Sequence, residues 1–122
     1  MSSGAALDAA GGPDTPLAAL AALRCRAGAP RLTAAEIAAD FAALPGWTCD
    51  GRGIEKTFAF TDWRETIAFV NALAWIAQRE GHHPDLAVGW GQCTVSYTTH
   101  AIGGLSENDF ICAAKIDALL TL

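Results

Sequence analysis

Apolar and polar residues recur along this chain with two different periods, and these periods predict alternating helices and strands. The pattern Thr33-Ala-Ala-Glu36 is a capping box that begins a helix with apolar residues at helical spacing, and Pro45-Gly46 ends that helix. A longer helix is predicted over residues 62–80, because Asp62 can cap its first turn and Gly81 is a typical stop.

Other segments alternate apolar and polar residues with the period of two that half-buried strands show. They predict one hairpin from residues 47–50 and 54–60, and a second from residues 86–90 and 93–99. A last helix over residues 107–120 completes the order α-β-β-α-β-β-α. Because hairpins pair neighbouring strands in opposite directions, we predict an α+β fold with a four-stranded, mainly antiparallel sheet covered by helices on one face.

The long helix is more apolar than one core-facing side requires. Its apolar residues form two stripes: Ile67, Val70, Ala74 and Ala77 on one, and Phe69, Leu73 and Ile76 on the other. One stripe can cover the sheet, whereas the other would lie in water in a monomer. We therefore expect a homodimer or homotetramer whose interface includes the stripe that faces away from the sheet.

A length of 122 residues and a hydrophobic content of 52% are typical of one domain with its own core. Residues 1–30 are rich in Ala, Gly and Pro, so we predict a flexible N-terminal tail there and the domain over residues 31–122.

Charge and cysteine usage exclude several functional classes. The net charge is -5 and the basic residues are not clustered, so we expect no direct contact with nucleic acid. No basic leader and no apolar run of about 20 residues is present, so we expect a cytoplasmic protein without a membrane segment. The four cysteines are widely spaced, which favours buried free thiols over disulfides. A zinc site at Cys93 is disfavoured because adjacent histidines tend to point apart.

All three histidines lie in two short segments: Gly81-His82-His83-Pro84, and His100 at the far end of the second hairpin. Imidazole titrates near neutrality, so a cluster of these side chains could both donate and accept protons. In isolation, His82 and His83 also fit a purely local role after a helix C-terminus, where the helix dipole favours an imidazolium.

The spacing of the histidines relative to Trp90 and Asp109 favours a catalytic role over this local one. Trp90 lies six residues after Pro84, His100 follows ten residues later and Asp109 nine after that. This pattern resembles the signature of the pterin-4a-carbinolamine dehydratases, and the similarity extends over about residues 32–120. One position departs from it: Gln78 stands four residues before His82, where the family usually has an ionisable side chain.

The resemblance implies a cofactor-free lyase that dehydrates 4a-hydroxytetrahydrobiopterin to quinonoid dihydrobiopterin in tetrahydrobiopterin regeneration. It implies His82 and His100 as the acid/base pair and His83 as a second acid or an orienting group, in an order that the sequence leaves open. The small-molecule pterin would lie against residues at the ends of predicted elements: Trp47, Gly81, Thr98, Thr99 and Ala101.

Several of these residues also fit structural roles. Asp109 completes a capping box with Ser106, and we favour that role over catalysis. Trp90 and Tyr97 are interpreted as sheet packing, and Trp47 fits packing and stacking about equally. Relatives of this fold also act as binding modules, such as a rubisco assembly factor or a dimerisation cofactor of a transcription factor, and the apolar helix is compatible with such a role.

Overall fold

A computed structural model of the chain describes residues 15–121. Its helices are α1 (Pro16–Ala21), α2 (Ala34–Phe41), α3 (Trp63–Glu80) and α4 (Glu107–Leu119), and its strands are β1 (Thr48–Cys49), β2 (Ile54–Ala59), β3 (Asp85–Val88) and β4 (Gln92–Tyr97). A short 3-10 helix, His100–Ile102, follows β4. Within the described part of the chain, no helix is both long enough and apolar enough to cross a membrane.

The four strands form a single sheet in the order β1-β2-β4-β3, and every neighbouring pair is antiparallel. Strand β4 lies in the centre, so Cys93 is opposite Phe58 on one side and opposite Val88 on the other. The predicted α+β class, both hairpins and the antiparallel sheet are confirmed.

Local signals set the start of α2 and both ends of α3 as predicted, whereas α2 ends at Phe41 and not at the predicted Pro45-Gly46. The amide of Glu36 donates to the Thr33 hydroxyl and the Thr33 amide donates to the Glu36 carboxylate, which is the reciprocal capping box. Asp62 caps α3 by accepting from the Glu65 amide at 2.8 Å. The chain leaves α3 through Gly81, whose φ of 67° lies in the left-handed region that glycine adopts without steric cost.

The core lies between the sheet and the helices that cover one of its faces. The inward residues of β4 and the middle of α4 are fully or almost fully buried, which explains why α4 is apolar around most of its circumference. The largest fully buried apolar side chains are Leu44, Ile54, Leu73, Val95, Tyr97, Leu105, Phe110, Ile111 and Ile116, and Trp47, Phe58 and Phe69 are almost fully buried.

Both apolar stripes of α3 contribute to this core, so the stripe expected to face away from the sheet does not exist as such. Phe69 and Leu73 are buried, and Val70 and Ile76 pack half-buried against the same cluster. The exposed large apolar side chains lie outside the two stripes: Leu23, Trp63, Trp75, Leu86, Val88, Trp90 and Leu120. The interpretation of Trp90 as sheet packing is therefore wrong, because 67% of its surface is exposed.

Residues 15–30 lie against the domain, although the sequence placed them in a flexible tail. Leu20 on α1 is buried in the core cluster. Glu80 accepts hydrogen bonds from the Cys25 amide at 2.8 Å and from the Arg24 side chain at 2.9 Å. Asn108 on α4 bonds the backbone amide and carbonyl of Arg26. The predicted boundary at residue 30 stays a prediction, and residues 1–14 lie outside the described residues.

Candidate active site

His82 is held in place by the end of α3 and by β4. Its backbone amide donates to the Ala77 carbonyl at 3.2 Å, and its own carbonyl accepts from the Tyr97 hydroxyl at 3.2 Å. The imidazole also stacks on the Tyr97 ring, with centroids 5.1 Å apart and planes 20° apart. These contacts leave 14% of the His82 side chain exposed, so the ring is fixed in orientation and still reaches the surface.

A buried carboxylate from α4 contacts the His82 imidazole. Asp109 is fully buried, and its Oδ1 lies 2.6 Å from His82 Nε2. Its Oδ2 accepts from the Thr99 hydroxyl at 2.7 Å and from the Ser106 amide at 2.9 Å. Asp109 therefore caps α4, as predicted, and at the same time holds one nitrogen of the imidazole, which the sequence did not predict.

The carboxylate also changes the protonation of His82. Burial favours the neutral imidazole, but the hydrogen bond to Asp109 and the negative charge of that group outweigh burial and raise the pKa of His82 above its ordinary 6.5. His82 is thus biased towards the protonated form near neutral pH, which is the state that a general acid requires.

A cavity of about 370 Å³ is lined by Gly81 and Asn108, the chain neighbours of this pair, and by Thr99, which bonds Asp109; His82 and Asp109 themselves do not line it. Its walls are residues 26–30, the end of α3 at Glu80 and Gly81, and the turn at Thr99, Ala101 and Ile102. Its size falls in the range of roughly 300–1,000 Å³ that is common for small-molecule sites. Three of the predicted substrate-binding residues, Gly81, Thr99 and Ala101, line it.

The remaining predicted site residues are placed differently. His83 is exposed just beyond His82, and His100 is exposed at the start of the 3-10 helix, between two residues that line the cavity. The Thr98 hydroxyl instead donates to the Arg52 carbonyl at 2.6 Å, so this side chain points towards the β1–β2 hairpin.

Trp47 lies in the core rather than at the cavity. Only 4% of its surface is exposed, its ring packs edge-on against Phe58, and its Nε1 donates to Asp117 at 3.0 Å. Stacking on a planar ligand requires an exposed ring face, so the geometry favours the packing role of Trp47.

Sequence reasoning underestimated two residues of this site. The sequence favours capping over catalysis for Asp109, and it predicts that the backbone around Thr99 contacts a ligand, without a role for the Thr99 side chain. The spacing of Asp109 from His100 was the available signal for the first. No local pattern could have revealed the second, because Thr99 and Asp109 meet only after β4 and α4 have packed together.

The sequence profile of the family described as Pterin 4 alpha carbinolamine dehydratase matches residues 30–119. The chain belongs to this family. A provisionally named pterin-4-alpha-carbinolamine dehydratase of Nitrosospira multiformis is 55% identical over 98 residues, which cover 80% of this chain and 87% of the relative. One of Dechloromonas aromatica, also provisionally named, is 60% identical over 79 residues, which cover 65% of this chain and 70% of the relative.

Solved structures agree with this assignment. The crystal structure of a transcriptional coactivator/pterin dehydratase from Brucella melitensis is similar with a TM-score of 0.70 and 33% identity, over 74% of this chain and 98% of that one. A pterin dehydratase-like protein, identified as a RuBisCO assembly factor in the alpha-carboxysome, is similar with a TM-score of 0.51 and 28% identity, over 60% of this chain and 84% of that one. The fold thus occurs both in a transcriptional coactivator/pterin dehydratase and in a RuBisCO assembly factor.

Proposed function

We propose that this protein dehydrates 4a-hydroxytetrahydrobiopterin to quinonoid dihydrobiopterin, by histidine acid/base catalysis and in the regeneration of tetrahydrobiopterin. The observation that carries the proposal is the hydrogen-bonded His82–Asp109 pair, whose chain neighbours Gly81 and Asn108 line a cavity of suitable size. Family membership supports the substrate class, because the relatives are named for this activity.

The reaction needs a proton delivered to the departing 4a-hydroxyl and another removed from the neighbouring ring nitrogen. His82 is suited to the first transfer, because the hydrogen bond to Asp109 and the charge of that group raise its pKa and so favour the protonated imidazole. Asp109 occupies Nε2, so Nδ1 is the nitrogen that would exchange a proton with the substrate. Loss of the proton leaves a neutral imidazole that remains oriented by Asp109 and by the Tyr97 ring.

His100 is suited to the second transfer. It lies between Thr99 and Ala101 in the sequence, and both of these neighbours line the cavity. Its exposure lets it return the proton to solvent after each turnover. His83, next to His82 and exposed, would serve as a second acid or an orienting group.

The backbone and small side chains of the cavity would bind the flat pterin. Gly81, Thr99 and Ala101 present little bulk. The amides of Gly81 and Thr99 already donate to Gln78 and Gly104, so the backbone of Ala101 would hydrogen-bond to the amide-like edge of the ring. The position of Trp47 in the core leaves the recognition of the ring to this wall and to the facing residues 26–30.

The direct test is the rate of dehydration of synthetic 4a-carbinolamine by the purified protein, followed by absorbance. We expect catalysis above the uncatalysed rate, and a loss of kcat of about 10²-fold or more in His82→Ala and His100→Ala, since one positioned acid or base typically contributes about 10²–10⁴-fold. Circular dichroism checks that each variant is folded. Turnover near that of the wild type in both folded variants would refute the mechanism.

A second function, protein binding, is favoured by exposed aromatic surface. Trp75 is 65% exposed on α3, with the Arg79 guanidinium 5.6 Å from its ring centroid, and Trp90 is 67% exposed. Tryptophan and arginine are the residues enriched at the energetic centres of interfaces. We propose that these side chains are covered in a homodimer or homotetramer of a cytoplasmic protein. A partner protein, as for the RuBisCO assembly factor, is the alternative.

A further inference from the structure

The sulfur atoms of Cys25 and Cys112 lie 3.4 Å apart, although the two residues are 87 positions apart in the chain. Cys112 is fully buried in α4, whereas Cys25 is half-buried in the irregular segment between α1 and α2. The other two thiols belong to the sheet: Cys49 is half-buried in β1 and Cys93 is buried in β4. The four sulfurs are free, so one pair is in contact without being bonded.

We propose that Cys25 and Cys112 are a redox-active dithiol that a peroxide converts into a reversible intramolecular disulfide. A disulfide requires an S–S length of about 2.05 Å, so the two sulfurs must approach by roughly 1.4 Å. Cys25 can supply this movement, because its segment has no regular secondary structure. The proposal does not depend on the pterin reaction, since it rests on the two thiols alone.

The contact also decides which sulfur reacts first. Either sulfur can be the donor in this contact, and the Cys25 thiol also lies 3.7 Å from the Asn108 carbonyl, to which it can donate. The contact with Cys25 lowers the pKa of Cys112 in spite of burial, with the Tyr97 hydroxyl and the His82 charge acting in the same direction. The same contact raises the pKa of Cys25. Cys112 is therefore the sulfur of the pair that more readily forms the thiolate, and because it is fully buried, peroxide would have to reach it through a local opening at Cys25.

The chemistry balances in two steps. The Cys112 thiolate attacks one peroxide oxygen, and the O–O bond breaks. Hydroxide departs, and Cys112 becomes a sulfenic acid. Cys25 then loses its proton and attacks the Cys112 sulfur, and the displaced hydroxide takes up a proton to form water. The two thiols together lose two electrons, and the peroxide is reduced to two molecules of water.

The bond would form directly behind the candidate active site. Cys112 interacts with the Tyr97 hydroxyl, and the Tyr97 ring stacks on His82. On the other side, Cys25 precedes residues 26–30, which form one wall of the cavity. Drawing Cys25 towards α4 would move this wall and change the surroundings of the His82 imidazole.

The test is oxidation of the full chain with stoichiometric hydrogen peroxide, followed by alkylation in denaturant and peptide mapping by mass spectrometry. We expect two of the four thiols to escape alkylation, a cross-linked peptide that joins Cys25 to Cys112, and full reversal by dithiothreitol. The closed loop is long, so the melting temperature should rise on the order of 10 °C. The imidazole NMR signals of His82 should shift on oxidation.

Two variants complete the design. Cys25→Ser removes the resolving thiol, so peroxide should leave a Cys112 sulfenic acid that dimedone traps. Cys49→Ser changes a half-buried thiol outside the pair, so it should oxidise like the wild type. The proposal is overturned if all four thiols are still open to alkylation after peroxide treatment, or if the cross-links join other pairs or separate chains. It is also overturned if Cys25→Ser forms no dimedone adduct at Cys112. Unchanged His82 signals in the cross-linked protein would overturn its coupling to the site.

Discussion

Replacing Asp109 with Asn tests whether one carboxylate sets both the fold and the protonation of the site. Asn has nearly the same shape, so it can still accept from the Thr99 hydroxyl and the Ser106 amide, which lie 2.7 and 2.9 Å from Oδ2. It can donate to the neutral imidazole of His82. The substitution therefore removes the charge of a fully buried group and leaves its volume almost unchanged.

The magnitude follows from the hydrogen bonds that lose this charge. A bond to an ionised group contributes about 1.5–3 kcal/mol, against about 0.5–1.5 kcal/mol for a neutral one. The bonds from Thr99 and Ser106 should together lose roughly 2 kcal/mol at every pH studied. The bond to His82 should lose roughly 1–2 kcal/mol more wherever the imidazole is protonated.

The sign of the pH dependence follows from the raised pKa of His82. In the wild type, the imidazolium–carboxylate pair stabilises the folded state fully below the unfolded histidine pKa of about 6.5, and this stabilisation is lost as pH rises through the higher folded pKa. In Asp109→Asn the pKa of His82 should fall. The stability difference between the two proteins should thus be largest near pH 5.5 and should shrink towards pH 8.5.

Urea denaturation across this pH range measures the difference, and NMR titration of the His82 imidazole measures its pKa. Asp117→Asn is the matched control, because Asp117 is also a buried carboxylate on α4, but its partners are the Trp47 indole and the Lys56 ammonium. The control should lose stability without this pH dependence. Parallel stability curves for the wild type and Asp109→Asn, with equal His82 pKa values, would refute the reasoning.

Three further predictions concern single positions. Gln78→Glu should raise dehydratase activity or shift its pH profile, because it restores an ionisable group near His82, and identical profiles from about pH 5 to pH 9 would show that the position is silent. Trp47→Phe should cost about 1–3 kcal/mol in urea denaturation by leaving Asp117 without the indole donor, with KM for the pterin unchanged, and a large rise in KM would instead indicate stacking. Light scattering should give a mass above 12.7 kDa for the wild type. Trp75→Glu should release folded subunits, because Trp75 is exposed, and Leu73→Glu should unfold the chain, because Leu73 is buried. A folded wild-type monomer at micromolar concentration would exclude the homo-oligomer.

The elements that sequence predicted well are those whose signals are local. Asp62 and Gly81 bracket α3 within one turn of its ends, and the Thr33–Glu36 pattern forms its hydrogen bonds within four residues. Strand β4 alternates buried and half-buried residues from Cys93 to Tyr97, so its inward face could also be read directly.

The features that the sequence did not predict depend on contacts between residues that lie far apart in the chain. Trp47 could be assigned to the core only once α4 placed Asp117 beside its indole nitrogen, 70 residues away. Trp90 follows β3, yet most of its surface is exposed, which its place in the sequence after a strand could not reveal. The wide apolar surface of α3 indicated an oligomer interface, but the sheet and α4 cover Phe69 and Leu73 from different directions.

The docking of residues 15–30 bears on how this protein can be shortened. The profile of the family begins at residue 30, and a chain cut there would lose α1 together with Arg24 and Cys25. The Glu80 carboxylate, whose side chain is 3% exposed, would then keep Lys115 at 3.9 Å but lose a guanidinium and a backbone amide. The carboxylate with fewer partners and the loss of one cavity wall would lower the stability of the shortened protein. A loss of its activity would therefore not show that His82 is catalytic.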